Sequence, residues 1–321
     1  MFRVCVTQVL EAGAWEQFKA MGWELNTLIQ PSPNALKDAL AESDALVSML
    51  TDRLSAEVLQ AAQAAQGGRL KIIANHAVGY DNIDVQAAHN QGIVVTNTPG
   101  VLTQATAEFA LTLILNLLRR VSEGEALLRS GQWQGWEPTQ LLGSSLAGKK
   151  VGILGAGRIG QALGQLVHLL GAELAYCSRS PQPAFESQTQ AQQMDFQSLL
   201  KWSEVLSLHL PGGADTFHLL NAETLAMLPK GAILINTGRG NSIDEVALAE
   251  ALQSGHLGGA ALDVYEKEPS VHPALLSCPN TLLLPHLGSA TVSTRRAMAL
   301  TCLQNIQAVF AGQPAPNQIP I

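Results

Sequence analysis

Short apolar runs of four to six residues alternate with stretches in which apolar side chains recur every three or four positions. The runs read as buried parallel strands, and the 3.6-period stretches as helices that cover them. Residues 2–7 form the first expected strand, and 14–21 a helix ending at Gly22. Asn34 is placed to cap a helix through Leu40, after which 45–50 is a strand, 51–53 a loop and 55–65 a helix. Strands at 70–74 and 93–96 follow, leading into the loops 75–84 and Pro99-Gly100. This alternation in the first hundred or so residues predicts a small parallel α/β domain of its own.

The segment 103–120, TQATAEFALTLILNLLRR, is apolar nearly all round and is expected to be a buried helix joining two domains. Thr112, Asn116 and Glu108 interrupt it and argue against a membrane span. A segment of little regular signal, 130–145, carries Trp133 and Trp136. Beyond residue 180 the alternation resumes, with strands at 205–210, 232–236, 259–264 and 282–284. Helices are expected at 242–254 and 293–310. Glycines and prolines gather at the strand exits, where doubly wound sheets place their ligands.

The most specific local signal lies between these halves. Residues 151–154 form a strand that enters Gly155-Ala156-Gly157-Arg158-Ile159-Gly160. A helical stretch follows, with Ile159, Leu163, Leu166, Val167 and Leu170 on one side and Gly171 as its C-cap, before a second strand at Glu173–Cys177. Strand, glycine turn, helix and strand in about thirty residues is the dinucleotide-binding fingerprint. Gly155 permits the tight turn, Gly157 lets the backbone approach a pyrophosphate, and Gly160 lets the helix pack on the sheet. The helix start, with the N–H groups of Arg158, Ile159 and Gly160, holds the phosphates. The second strand exits into Cys177-Ser178-Arg179-Ser180, which has no acid to hold a ribose 2′-hydroxyl. Arg179 can pair with a 2′-phosphate, and Ser178 and Ser180 can donate to it. The turn therefore reads as NADP(H), with NAD(H) the alternative.

Composition narrows the rest. The 321 residues, 47% hydrophobic and 14% charged, fit two globular domains. A formal net charge of −7 offers no footprint for nucleic acid or an anionic membrane, so an anionic substrate needs local cationic groups. Cys5, Cys177, Cys278 and Cys302 lack metal-ligand spacing, and no metal site or disulfide framework is expected. With no signal peptide or membrane span in the pattern, the expected compartment is the cytoplasm.

Three strand exits carry chemistry: Arg239 in Asn236-Thr-Gly-Arg-Gly240, Glu268 in 261–269, and His286 in Leu284-Pro-His-Leu-Gly-Ser289. Each alone is ordinary. Together with Ala77-Val-Gly-Tyr-Asp-Asn-Ile-Asp84 and the glycine turn, in this order, they make the whole chain resemble the D-2-hydroxyacid dehydrogenase family. Trp133-Gln-Gly-Trp-Glu-Pro138 and the Arg179 turn are most similar to its glyoxylate/hydroxypyruvate reductases. The resemblance implies the formate/glycerate dehydrogenase fold, with a Rossmann nucleotide domain (99–286) inserted into a flavodoxin-like substrate domain (1–98 plus 287–321) and the active cleft between them. It implies NADPH-dependent reduction of a small anionic 2-oxo acid to the D-2-hydroxy acid. In that scheme His286 is the proton donor, Glu268 orients it and favours its imidazolium form, and Arg239 binds the carboxylate and polarises the carbonyl. Val78 and Gly79 add backbone N–H groups, and Leu50 lines the pocket. Thr237 and Asp263 are expected near the nicotinamide, His209, Leu210 and Pro211 along the cofactor, and Gly238, Arg239, His286, Gly288 and Ser289 among the residues that bind it. A homodimer is implied, with Trp136 reaching the partner's pocket. Phosphohydroxypyruvate, pyruvate, a 2-ketogluconate-type acid, or a non-enzymatic NAD(H)-sensing corepressor are the alternatives.

Overall fold

In the computed structural model, which describes residues 1–64 and 68–320, every paired strand runs parallel to its neighbours in one of two sheets. The chain divides into one unit of Met1–Leu102 with Ala290–Ile321 and a second of Thr103–Ser289. The first unit is built from β1 (Arg3–Val6), α1 (Ala12–Ala20), β2 (Glu24–Thr27), α2 (Pro33–Glu42), β3 (Ala45–Ser48), α3 (Ala56–Ala64), β4 (Ile72–Asn75), α4 (Val85–Asn90) and β5 (Val94–Thr96). Its sheet order is β2-β1-β3-β4-β5, the flavodoxin-like doubly wound order. Alternate residues of the strands face opposite sides. Cys5, Leu46 and Ile73 pack with Leu40 and Leu59, while Val4, Val47 and Ile72 pack with Phe18 and Ile306.

The sequence pattern misses β2 and α4. The first is an edge strand in which only Leu25 is even half-buried, and the second is too short to display a period. Ser32, not Asn34, caps α2: its Oγ accepts the Ala35 N–H at 3.3 Å, and Pro33 then takes the first helical turn, where its missing N–H costs nothing. The expected end of the third helix at Ala65 lies outside the described residues.

The second unit runs α5 (Thr103–Arg119), α6 (Val121–Arg129), β6 (Lys150–Leu154), α7 (Arg158–Leu169), β7 (Glu173–Cys177), α8 (Pro183–Thr189), β8 (Gln192–Gln193), α9 (Phe196–Trp202) and β9 (Val205–Leu208). It continues through α10 (Ala222–Leu225), β10 (Ile233–Asn236), α11 (Glu245–Gln253), β11 (Gly259–Leu262), α12 (Pro273–Leu276) and β12 (Thr281–Leu283). The chain then returns to the first unit with α13 (Val292–Phe310). The sheet order β12-β11-β10-β9-β6-β7-β8 is the Rossmann order with one added strand, and it reverses between β6 and β9. Leu113, Ile114, Leu163 and Val167 cover one face, and Leu199, Leu200 and Leu248 the other. The strands between them, β9, β10 and β11, are buried along their whole length.

Two expectations need correction here. Helix α5 is not buried all round: Thr106, Ala107, Ala110, Leu113, Ile114 and Leu118 form one buried stripe, and Glu108 and Thr112 face solvent. Its apolar surplus, Leu111, Leu115 and Leu117, is only partly covered. On α7, Leu163 and Val167 are buried as expected, but Leu170 is exposed because it is the C-cap, where the chain leaves the helical path. Gly171 follows in the left-handed region, at φ +81°.

Candidate active site

Three neighbouring strand exits of the second unit converge. After β10, the Asn236 side chain closes a tight loop, accepting the Gly238 N–H at 3.0 Å and donating to the Arg239 carbonyl at 2.8 Å. Ser242 donates to the same carbonyl at 2.7 Å, which fixes the backbone of Arg239, and its guanidinium turns back on the loop, with Nη1 donating to the Gly238 carbonyl at 2.8 Å. The next residue must be glycine for reasons of space. A Cβ on Gly240 would fall 1.9 Å from the Tyr265 carbonyl carbon, so this loop lies directly against the segment that carries Glu268.

That segment, after β11, is itself tied down. Tyr265 N–H donates to Glu268 Oε1 at 3.1 Å, and Glu266 N–H donates to the buried carboxylate of Glu245 at 2.9 Å. Glu268 Oε2 then stands 3.0 Å from His286 Nδ1, on the exit of β12. Burial pushes the Glu268 carboxyl up, but the His286 contact, the Tyr265 N–H and the Arg239 charge outweigh it and hold the group below its ordinary range. The carboxylate is therefore ionised at neutral pH, and it fixes one ring nitrogen of His286 and leaves Nε2 free to act.

His286 has φ +57°, an uncommon backbone conformation for a residue with a side chain. Asp263 holds it there. Its carbonyl accepts the His286 N–H at 3.0 Å, and its two carboxylate oxygens take the N–H groups of Leu287 and Gly288 at 2.7 Å each. Asp263 is almost fully buried, and burial raises its pKa despite the two N–H donors. Both of its oxygens are thus committed to the turn that presents the imidazole.

The glycine turn has the shape its sequence implies. Gly155 has φ +100°, and a Cβ there would meet the His209 carbonyl at 2.7 Å. A Cβ on Gly160 would meet the Gly155 carbonyl at 2.3 Å and Ile153 at 2.9 Å, so only glycine lets α7 sit this close to β6. At Gly157, the N-cap of α7, nothing lies within 4 Å of the same position. The open side of the turn is therefore bare backbone facing outward at a helix start, which fits a pyrophosphate. The neighbouring exits carry further unused polar atoms: among the described residues, Thr237 Oγ1 and His209 Nδ1 are buried without a hydrogen-bond partner. The other nitrogen of His209 lies 2.9 Å from Ser207 Oγ, and exclusion of water lowers its pKa to about 4, so the ring is neutral. Gly238 and Leu210 pack together, since a Cβ on Gly238 would be 3.1 Å from the Leu210 carbonyl.

The sequence of residues 111–288 matches the model of the D-isomer specific 2-hydroxyacid dehydrogenase NAD-binding domain. The chain is 44% identical over 293 residues to the glyoxylate reductase of Thermococcus litoralis, covering 90% of this chain and 87% of that one. It belongs to the D-isomer specific 2-hydroxyacid dehydrogenases. A second glyoxylate reductase, from Aeropyrum pernix, is also 44% identical, over 90% of this chain and 87% of the relative. Among solved structures, the NADPH-dependent glyoxylate/hydroxypyruvate reductase of Sinorhizobium meliloti, in complex with NADP and malonate, superimposes with a TM-score of 0.87 at 35% identity. That match covers 99% of this chain and 96% of the other. As a 2-hydroxyacid dehydrogenase, this protein is an oxidoreductase that uses a nicotinamide cofactor and a small carboxylate substrate.

In this dehydrogenase the turn after β7 carries the residues expected at the far ribose. Arg179 is exposed and, among the described residues, its guanidinium has no hydrogen-bond or ion-pair partner. The hydroxyl of Ser178 donates to the Ser180 carbonyl at 2.6 Å and so shapes the turn. The fold also brings up a carboxylate that the local sequence lacks. Asp195, just past β8, raises the pKa of Cys177 through its charge, second to burial. Both Asp195 oxygens are engaged by Ser198, through its N–H at 2.9 Å and its hydroxyl at 2.6 Å, which caps α9.

The remaining expected residues are distributed as follows. Leu50, Val78 and Gly79 lie in the first unit, just past β3 and β4. Trp136 stands in the loop after α6, 81% exposed. Pro211 follows β9, and Ser289 is the last residue of the second unit. A cavity of about 330 Å³ lies at the opposite end of the second sheet. It is lined by residues that precede strands, including Lys149, Glu204, Ala232 and Asn280, and contains none of the catalytic candidates. Among the described residues no cluster of three His, Cys, Asp or Glu could hold a metal ion, and no helix is long and apolar enough to cross a membrane.

Asn236, Ser242 and Glu245 were not legible as supports for the site, and Asp263 was expected at the nicotinamide and not as the anchor of the His286 turn. One signal was available. Ser48, Asn75 and Asn236 each end an otherwise apolar strand and are fully buried, so their hydrogen-bonding groups must be used on the loop that follows.

Proposed function

We propose that the protein reduces a small 2-oxo acid, glyoxylate or hydroxypyruvate, to glycolate or D-glycerate with NADPH. The observation that carries this reading is the 3.0 Å contact between His286 Nδ1 and the ionised Glu268, beside the fixed loop of Arg239. The turn from Gly155 to Gly160 and the Cys177–Ser180 exit would hold NADPH, whose chemistry would be to supply a hydride to the carbonyl carbon. His286 donates its Nε2 proton to the carbonyl oxygen as negative charge develops there. Glu268 holds the other ring nitrogen and sets its orientation. Arg239 pairs with the carboxylate and polarises the carbonyl, an interaction that strengthens as the oxygen gains charge. The N–H groups of Val78 and Gly79 are donors for the carboxylate, and Leu50 lines the pocket. On this reading the second unit is the dinucleotide domain and the first the substrate domain. The names of the Thermococcus and Aeropyrum relatives support the choice of substrate, and that of the Sinorhizobium relative supports both substrate and coenzyme.

The test is a panel of glyoxylate, hydroxypyruvate, pyruvate, phosphohydroxypyruvate and 2-ketogluconate, each assayed with NADPH and with NADH. The highest kcat/KM is expected for glyoxylate or hydroxypyruvate with NADPH. A clear preference for another member of the panel, or no turnover with any, rejects it.

The same reading makes the protein a homodimer with Trp136 at the partner's pocket, supported by the exposure of this large apolar ring together with Trp133, Leu128 and Val121. Sedimentation equilibrium is expected to give twice the 34.0 kDa chain mass. Trp136→Ala is expected to raise KM for the 2-oxo acid with the dimer intact. A monomer at micromolar concentration would end this part of the proposal.

A further inference from the structure

The loop after β4 is held by its carbonyls. Thr98 N–H donates to the Ala77 carbonyl at 2.9 Å, Asn97 Nδ2 to the Val78 carbonyl at 2.8 Å, and Asn75 Nδ2 to the Gly79 carbonyl at 2.7 Å. In a planar trans peptide the N–H points opposite to the C=O. Pinning these three consecutive carbonyls therefore turns the N–H groups of Val78, Gly79 and Tyr80 the other way. Among the described residues none of those three N–H groups donates a hydrogen bond within the chain. Burial falls along the same stretch, from buried Ala77 through half-buried Val78 and Gly79 to exposed Tyr80.

The two asparagines are themselves fixed. Asn75 is fully buried, and its Oδ1 lies 3.2 Å from Ser48 Oγ, a donor that leaves only Nδ2 for Gly79. Asn97 is anchored through its own N–H, which donates to the Asn317 carbonyl at 3.3 Å. From this we infer that Asn75 and Asn97 are positioning residues for substrate binding. They act through the peptide planes they hold and add the Tyr80 N–H to those of Val78 and Gly79 as a third donor. Three successive outward N–H groups make a concavity for an anion. The inference rests on the reading that these backbone groups receive the 2-oxo acid's carboxylate.

Asn97→Ala removes the donor from a half-buried site, and Asn97→Asp keeps the shape but cannot donate and adds a negative charge. Asn75→Ala tests the second anchor. KM for the 2-oxo acid and Ki for oxalate, a carboxylate that cannot react, are expected to rise about tenfold in Asn97→Ala and further in Asn97→Asp. The kcat at saturation and the Kd for NADPH should stay within about twofold. A role confined to folding would lower the melting temperature without separating KM from kcat. Unchanged KM and oxalate Ki in both Asn97→Ala and Asn75→Ala overturns the inference, as does a change in NADPH Kd equal to that in KM. Gly79→Pro, which lacks the N–H itself, separates the two levels. If it raises KM and the asparagine variants do not, the backbone site stands and the positioning role falls. If Gly79→Pro leaves KM unchanged, the carboxylate reading fails and takes the inference with it.

Discussion

Replacing His286 by Ala is expected to lower kcat for 2-oxo acid reduction by at least ~100-fold, the usual size of a lost general acid, and to leave nucleotide affinity almost unchanged. The reason is the direction of the ring. Its Nδ1 is held by Glu268 at 3.0 Å, so a proton can leave only from Nε2. The backbone that aims it is set by Asp263, through one carbonyl and two carboxylate contacts that do not involve the imidazole. Removing the ring therefore leaves the turn in place, and the expected loss is chemical and not structural. Glu268→Gln is a milder probe. The amide still occupies the site but lacks the charge of the ionised carboxylate that holds Nδ1, so kcat should fall, but by less than in His286→Ala. The checks are steady-state kinetics and NADPH binding by fluorescence. Activity within a few-fold of the unmodified enzyme in His286→Ala would remove His286 from the mechanism.

The second large effect concerns the coenzyme. The unmodified enzyme is expected to favour NADPH over NADH by about tenfold to a hundredfold in kcat/KM, from a charged hydrogen bond between Arg179 and the 2′-phosphate. Solvent around the exposed guanidinium points to the lower half of that range. Arg179 has no competing partner among the described residues, and the Cys177 side chain beside it is neutral, because burial and the Asp195 charge raise its pKa. The fold brings the Asp195 carboxylate nearby, but it is engaged with Ser198 and caps α9. In the double variant Cys177→Asp, Arg179→Ala the preference should reverse or vanish, with kcat on NADH largely kept. A higher kcat/KM with NADH than with NADPH in the unmodified enzyme would show that the turn has been misread.

Local pattern alone settled more of this molecule than its length would suggest. Parallel strands buried on both faces read as plain apolar runs, which is why β3, β4, β9, β10 and β11 were visible. The glycine turn was visible because its three functions fall within six residues, and its geometry follows from the absence of three side chains. Arg239, Glu268 and His286 are each ordinary at their strand exits, and only their joint order along the chain, through the family resemblance, singled them out. Edge strands β2 and β8 were not, since each lacks the second buried face that makes a strand apolar. Which exit faces which was decided only by the order of strands in the sheets. That order brings Gly240 against Tyr265, sets Glu268 on His286 across eighteen residues, and carries Asp195 to Cys177. It also decides that Asn75, ending β4, and Asn97, just past the neighbouring β5, grip adjacent carbonyls. A hydrogen bond between residues far apart in the chain leaves no period in the sequence; it exists only once the sheet has fixed which loops are neighbours.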